Sequence, residues 1–274
     1  MSRTLKVLSL MVLLAGFATV APAIAQDDPA EAPIYVWINE LTAKPGQGDA
    51  LVQLLMKDAQ DLDPLVESGA ALEWGIALPV VHSGGDSGIR YQWITFVGWA
   101  GADQFMQAFM SRMQAMSEDE KKAMAAEWET IVEPGSHADT INRSVHVGEG
   151  NSQSMRYIHL SYRTVKPGRE EEATKFYKEN VAPVYDRLVA DGAVLNYGLQ
   201  VPEVQRGQPW THMSWSATEN LAARDAAHAA FGAQISSSPE ESMKWQNAMD
   251  LFDAPPFDQI LMVVHHKTAS GGGE

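Results

Sequence analysis

The sequence has no cysteine, few basic residues and, beyond its first 25 positions, no long hydrophobic run. Without cysteine there is no disulfide, no thiol nucleophile and no thiolate metal ligand, so the fold must depend on its core. Lys and Arg number 20 against 35 Asp and Glu, which gives a formal net charge of −15. A chain this acidic repels nucleic acid and anionic lipid, and we expect neither as a partner.

The first 25 residues have the pattern of a secretory signal peptide. Arg3 and Lys6 precede an apolar run over residues 7–20, and the Ala23-Ile24-Ala25 tripeptide provides a cleavage site. The apolar run is shorter than the ~18 residues that a membrane span requires. We therefore predict an exported protein, periplasmic or extracellular, with no membrane span after cleavage.

Most of the remaining chain repeats itself. Tyr157 follows Tyr35 by 122 positions, and the turn Lys166-Pro167-Gly168 follows Lys44-Pro45-Gly46 by the same number. The motif Gly-Ala-x-Leu-x-aromatic-Gly also recurs, at 69–75 and 192–198. A repeat of about 115 residues is too long for a solenoid unit and has the length of a small domain. We predict a mobile leader at 26–33, repeat 1 at 34–148, a linker at 149–155, repeat 2 at 156–267 and a disordered tail at 268–274.

Within each repeat the hydrophobic periodicity predicts the order βαββαβ, which is the ferredoxin-like split βαβ unit. Helices cover one face of such a sheet, and the other face needs a partner, for which the second repeat is the obvious choice. The predicted fold is therefore α+β, with two ferredoxin-like units pairing into an intramolecular α/β barrel. The predicted strands are 34–42, 71–79, 91–98 and 140–147 in repeat 1 and 156–164, 193–201, 209–216 and 258–266 in repeat 2. The predicted helices are 49–68, 102–116, 118–132, 170–190, 218–234 and 239–250.

This element order, the Lys-Pro-Gly turn and the Gly-Ala-x-Leu-x-aromatic-Gly strand resemble the dimeric α/β-barrel superfamily, here in tandem form. That superfamily includes the antibiotic-biosynthesis-type monooxygenases and the EthD-like and NIPSNAP-like proteins. The resemblance covers both repeats. It implies a ligand site between a sheet and its helices or within the barrel, and a cofactor-independent oxygenase or isomerase if the protein is an enzyme.

The two repeats differ in the aromatic residues of their strands. His159 stands in repeat 2 where Trp37 stands in repeat 1, and His265 corresponds to His146. On the third strand, aligning Phe96 with Trp215 matches Trp93 with His212. In the predicted sheet order 4-1-3-2, with the first and third strands parallel, His159, His212 and His265 approach one end of the sheet.

Three interpretations of these histidines follow. His159, His212 and His265 could together bind a divalent metal or haem. Alternatively, with no cofactor, His159, His212 and Glu73 of the second strand could act as general acids and bases. In the third, the histidines only form hydrogen bonds in the barrel wall. The sequence does not decide whether the protein is an enzyme.

The aromatic residues of the strands suit a small apolar or aromatic ligand, and the filling of the barrel core explains them equally well. We predict that one side of the strands lines the pocket, with the residues Tyr35, Trp37, Trp93, Tyr157, Asn196 and Trp215. The other side, with Val36, Ile38, Ile158 and Leu160, is predicted to face the helices. The sequence leaves open a homodimer, and also a structural role in which the acidic surface binds another exported protein.

Overall fold

The computed structural model of the protein describes residues 32–80, 88–204, 210–253 and 257–269. The predicted signal peptide and most of the predicted leader and tail lie outside these residues. Repeat 1 forms β1 (Ile34–Thr42), α1 (Gly48–Met56), α2 (Ala59–Glu67), β2 (Ala71–Pro79), β3 (Ile89–Val97), α3 (Gly98–Ala115), α4 (Glu118–Ile131) and β4 (Ala138–Val147).

Repeat 2 has the same order of elements. It forms β5 (Tyr157–Arg163), α5 (Glu170–Phe176), a π-helical segment (Tyr177–Val181), α6 (Ala182–Ala190), β6 (Asn196–Val204), β7 (His212–Thr218), α7 (Ala222–Ile235), α8 (Pro239–Met249) and β8 (Phe257–Thr268). The predicted helix 49–68 is two helices, α1 and α2. In the described parts of the chain, none of the helices combines the length and the apolar character of a membrane span.

The eight strands close into one barrel in the order β1-β3-β2-β8-β5-β7-β6-β4. Within each repeat this is the predicted order 4-1-3-2. The repeats join where β2 pairs with β8 and where β4 pairs with β6. The predicted α+β barrel of two ferredoxin-like units, closed within one chain, is therefore confirmed.

The predicted parallel pairing of the first and third strands is wrong. β1 pairs with β3 antiparallel, and β5 pairs with β7 antiparallel. The helical crossover leaves the first and second strands running in the same direction, and the third strand then reverses the chain. The starts of the first and third strands consequently lie at opposite ends of the sheet.

The predicted assignment of the two strand faces is also wrong. Val36 and Leu160 belong to the apolar cluster that fills the barrel, to which both repeats contribute, and Ile38 and Ile158 pack against it. Trp37 instead packs against the cluster formed with the helices of repeat 1. Because both faces of the sheet are buried, apolar character alone could not tell them apart.

Two indoles fill the barrel interior at equivalent places. Trp93 lies over Gly75 of β2, where a Cβ on the glycine would meet the ring at 2.3 Å, and Trp215 lies over Gly198 of β6, where a Cβ would meet its Nε1 at 2.6 Å. Glycine within a strand commonly marks such a close approach. The last glycine of the recurring motif is therefore required by packing inside the barrel.

Candidate functional site

A cavity of about 390 Å³ lies between the repeat 2 sheet and its helices, within the size range of small-molecule sites. We call it the repeat 2 cavity. Its floor is formed by alternate residues of β5 and β7, which share one face of the sheet. The floor residues include His159, Ser161, Arg163, His212, Ser214, Ser216 and Thr218, and apolar wall residues include Phe176, Phe231, Trp245 and Phe252.

Strand pairing gives the correct correspondence between the repeats on the third strand. Trp93 pairs with Ile38, and Trp215 pairs with the equivalent Leu160. Trp93 therefore corresponds to Trp215, at the same 122-residue offset as the first strand. The alignment of Trp93 with His212 is wrong by three residues.

When the repeats are aligned at this offset, the cavity is explained by a set of substitutions on the helix-facing side of the sheet. The positions occupied by Trp37, Leu41, Gln92, Ile94 and Phe96 in repeat 1 are occupied by His159, Arg163, Ser214, Ser216 and Thr218 in repeat 2. In repeat 1 the four apolar residues pack into a cluster with the helices. Smaller and more polar side chains leave that space open in repeat 2.

His159 and Asp258 form a pair beside the cavity. His159 Nε2 lies 3.9 Å from Asp258 Oδ2, an ion-pair distance when the imidazole is protonated. The imidazole is the main cause that lowers the pKa of the Asp258 carboxyl to about 2. The Asp258 side chain is 42% exposed, so the pair is accessible to solvent. A carboxylate beside one ring nitrogen orients an imidazole and stabilises its charged form.

Repeat 1 has a different pair in the same place. Trp37 Nε1 donates a hydrogen bond to Asp139 Oδ1 at 2.8 Å. Asp139 lies opposite Asn39 on β1, as Asp258 lies opposite the equivalent Ser161 on β5. An indole N–H can only donate, whereas an imidazole can also accept and release a proton. The Trp37–Asp139 pair therefore cannot transfer protons, whereas the His159–Asp258 pair can. Asp139 also lies 3.2 Å from His137 Nε2, which is not among the residues that line the repeat 2 cavity.

His212 is in the cavity floor, but both of its ring nitrogens are occupied. Nε2 lies 3.1 Å from Thr174 Oγ1, and Nδ1 lies 3.0 Å from Thr211 Oγ1. The residue is 4% exposed, and burial lowers the pKa of its imidazole. His212 is therefore placed as a neutral anchor between two threonines.

The three histidines predicted to form a metal or haem centre do not come together. His159 pairs with Ser216 and His212 pairs with Arg163, at opposite ends of the β5–β7 pair. His265 packs on Trp74 of repeat 1, with ring centroids 4.3 Å apart. In the described ranges no three His, Asp or Glu side chains lie close enough to bind a metal ion. The predicted common ligand set is not formed.

Glu73 lies apart from His159 and His212. Its carboxylate forms a hydrogen bond with His266 Nε2 at 3.0 Å and accepts another from Thr95 Oγ1 at 3.2 Å. His266 stacks on Trp93 of the barrel interior. Of the adjacent histidines 265 and 266, it is therefore His266 that faces inward, and the barrel wall separates Glu73 from the repeat 2 cavity.

Of the residues predicted to line a pocket, Tyr157 lines the repeat 2 cavity. Trp93 and Trp215 are in the barrel interior, where Trp215 packs against the same cluster. Tyr35 lies against Trp99 on the repeat 1 side. Asn196 accepts a hydrogen bond from the backbone N–H of the next residue. These aromatic residues are divided between two faces and two repeats.

Several cavity residues were not among the predicted ones. They are Ser161, Arg163, Tyr185, Ser214, Ser216, Thr218, Arg224 and Asp258. The change from Leu41 to Arg163 is visible at the 122-residue offset, and Asp258 aligns with Asp139. Ser214 and Ser216 become visible only when the third strands are aligned at that same offset.

We expect acidification to destabilise the protein through three buried or partly buried histidines. Burial lowers the pKa of His146, His212 and His265 below the ordinary 6.5. The unfolded chain binds these protons below about pH 6.5 while the folded chain does not, so this contribution to stability is complete above pH 6.5 and is lost as pH falls. Urea unfolding at pH 7.5 and 5.5 measures the loss, which His212→Gln should reduce and His228→Gln, at an exposed position, should not. An equal loss in all three proteins would contradict this.

Comparison of the sequence with protein-family models and with curated proteins found no match. Solved structures do match. A protein provisionally named a monooxygenase from Lactobacillus acidophilus is 14% identical, with a TM-score of 0.57, over 87% of this chain and 97% of that one. A second such protein, from Fusobacterium nucleatum, is 11% identical, with a TM-score of 0.55, over 87% and 95%.

An anthrone oxidase-like protein is 15% identical, with a TM-score of 0.53, over 89% of this chain and 96% of that one. The chain has the dimeric α/β-barrel fold. Sequence identities this low show only that the fold is shared, and a shared fold does not imply a shared function. For this α/β barrel, function must be argued from the repeat 2 cavity.

Proposed function

We propose that the protein binds a small, largely apolar aromatic molecule in the repeat 2 cavity. The observation that carries this proposal is the difference between the repeats: the space that Trp37, Ile94 and Phe96 fill in repeat 1 is open in repeat 2. Phe176, Phe231 and other apolar residues form its walls. Apolar walls with a few placed polar groups are typical of small-molecule sites.

The polar groups support proton transfer at one edge of this site. His159 Nε2 lies on the side of Asp258, and no described residue forms a hydrogen bond with Nδ1. Nδ1 is therefore the nitrogen that can accept a proton from a ligand hydroxyl or from an acidic C–H group. The Asp258 carboxylate stabilises the imidazolium that results.

The activity that we propose on this basis is cofactor-independent oxygenation. The ligand O–H or C–H bond breaks, its proton goes to His159, and the electron pair stays on the ligand. The resulting anion transfers one electron to dioxygen, the co-substrate and oxidant, and the radical pair combines to form a C–O bond. The peroxide takes back the proton from His159 and then loses water as its O–O bond and the remaining C–H bond break, which leaves a carbonyl on the ligand. The names of the compared structures, monooxygenase and anthrone oxidase-like, support this choice. An isomerase, in which the proton returns to another atom of the ligand, is the second candidate because it needs the same base.

The test is oxygen uptake with a panel of phenols and anthrones, without added metal or flavin. A general base contributes about 10²–10⁴-fold to a rate, so His159→Gln should lower kcat by this factor. Asp258→Asn should give a smaller loss, and Arg187→Gln, at an exposed position outside the cavity, should change kcat less than twofold. Oxygen uptake that is unaffected by His159→Gln would contradict the assignment of the base.

Export is a further part of the proposed function, and it is supported by the pattern of residues 1–25. Expression of the full chain in a bacterial host, followed by N-terminal sequencing of the periplasmic fraction, tests it. We expect a mature chain that begins at Gln26. Full-length protein retained in the cytosol would contradict export.

A further inference from the structure

The floor of the repeat 2 cavity contains an arginine whose guanidinium has no hydrogen-bond or ion-pair partner in the described part of the chain. Arg163 lines the cavity, and its guanidinium lies 5.6 Å from the centroid of the Phe252 ring. No hydrogen bond or ion pair joins its guanidinium to another described residue. The equivalent residue of repeat 1 is Leu41, which is fully buried. A cation has therefore replaced a core leucine at this position.

Leaving a guanidinium partly buried and unpaired is unfavourable, because burial penalises its charge. Burial indeed lowers the pKa of Arg163. The carboxylate that attracts Arg163 is that of Asp258, which forms no ion pair with it within 4.0 Å and lies beside His159. The guanidinium consequently keeps its five N–H donors available to an incoming group.

A second arginine lies in the same cavity. Arg224 of α7 lines it, and Arg163 and Arg224 both act electrostatically on the Tyr185 hydroxyl group. Among the described lining residues, Asp258 is the one carboxylate that opposes these two cations. The cavity is therefore positive at neutral pH, whereas the whole chain has a formal net charge of −15. A positive cavity in so acidic a protein attracts anions selectively.

Arg163 is four residues from His159 on the same face of β5, which places their Cα atoms about 13 Å apart. The side chains of both residues line the cavity. Apolar side chains, among them Phe176 and Phe231, lie along the cavity wall. A ligand of one or two aromatic rings would span the two polar ends.

We propose that the ligand is an aromatic anion whose carboxylate or similar anionic oxygen group binds Arg163, while its reacting end lies at His159. This rests on the proposed function, because it specifies the chemistry of the molecule that the repeat 2 cavity binds. The planar fork of a guanidinium matches the two oxygens of a carboxylate. Arg163 thus determines specificity, and His159 determines reactivity.

Two fluorescent probes test the charge preference directly. N-phenyl-1-naphthylamine is neutral, and 8-anilino-1-naphthalenesulfonate has the same ring system with one sulfonate, which stands in for the carboxylate. We expect the full-length mature protein to bind the anionic probe at least tenfold more tightly than the neutral one. Arg163→Met should remove this difference by weakening the anionic probe alone, and Arg163→Lys should keep part of it.

Arg187→Met is the matched control, because Arg187 is exposed on α6 and bonds Gln234 outside the cavity. We expect it to leave both affinities unchanged. Equal affinities of the wild-type protein for the two probes, or equal weakening of both by Arg163→Met, would overturn the proposal for an anion and leave the cavity proposal intact. Binding of neither probe would instead contradict the proposed function. If Arg163→Met does not fold, the ratio of the two affinities in wild type and Arg163→Lys still decides the matter.

Discussion

Replacing Ser216 by Ile and Thr218 by Phe should abolish binding of N-phenyl-1-naphthylamine and raise the melting temperature. These are the residues that repeat 1 has at the equivalent positions, Ile94 and Phe96, where they pack against the helices. Burying a large apolar side chain stabilises a protein by about 1.5–3 kcal/mol, and imperfect fit offsets part of this. We expect a net gain of about 2 kcal/mol, or about 4–8 °C for a chain of this size.

Fluorescence titration and thermal unfolding of the same samples measure both effects. Ser242→Ile is the control for added apolar surface, because Ser242 is exposed on α8 and outside the lining of the cavity. It should leave the probe affinity unchanged. A filled variant that binds the probe as tightly as the wild type would show that the probe binds elsewhere, and the repeat 2 cavity would lose its assignment.

The reverse change in repeat 1 should be strongly destabilising. Ile94 and Phe96 are 4% and 1% exposed, so Ile94→Ser with Phe96→Thr removes two core side chains and adds two hydroxyls. Truncating buried Phe and Ile to Ala costs about 3–5 and 2–5 kcal/mol, so the pair should cost about 5 kcal/mol or more. This is comparable to the whole stability of many domains, about 5–15 kcal/mol.

Urea unfolding of the single variant Phe96→Thr gives the measurable step, with an expected loss of about 3–5 kcal/mol. The double variant should be largely unfolded or unfold at low urea. Thr218→Ala at the equivalent position of repeat 2 is the matched control, and we expect it to cost less than about 1 kcal/mol because no packed core surrounds it. Similar losses at positions 96 and 218 would contradict the difference that we describe between the two repeats.

The fold could be predicted from the sequence because the same order of strands and helices occurs in both repeats. The Lys-Pro-Gly turn and the Gly-Ala-x-Leu-x-aromatic-Gly strand fixed the correspondence of the first two strands. Strand direction could also have been deduced, since a crossover followed by a hairpin makes the third strand antiparallel to the first. The assignment of the two sheet faces could not be deduced, because Val36 and Trp37 are both apolar residues on a sheet that is covered on both sides.

The site was predicted only in part. The change from Trp37 to His159 lies in the securely aligned first strand, and His159 does line the repeat 2 cavity. On the third strand, similarity between Phe96 and Trp215 gave a register that is three residues wrong. Strand pairing, which depends on hydrogen bonds and packing, aligns Trp93 with Trp215. The change from large apolar residues to serine and threonine was hidden by that error.

Sequence comparison also could not show which polar groups satisfy each other. His212 differs from its counterpart as clearly as His159 does, yet Thr174 and Thr211 occupy both of its ring nitrogens. Thr174 is on α5, 38 residues away in the sequence, and only the packing of that helix on the sheet brings the two side chains together. Such tertiary contacts distinguish an anchored histidine from one available to a ligand.

A crystal structure of the protein with N-phenyl-1-naphthylamine bound tests the central claim most directly. We expect one molecule per chain, between the repeat 2 sheet and helices α5 to α8, with His159 at one end and Phe176 and Phe231 against its rings. The equivalent space of repeat 1 should hold Trp37, Ile94 and Phe96 and no ligand. A probe bound inside the barrel against Trp93 and Trp215, or bound equally in both repeats, would contradict the account.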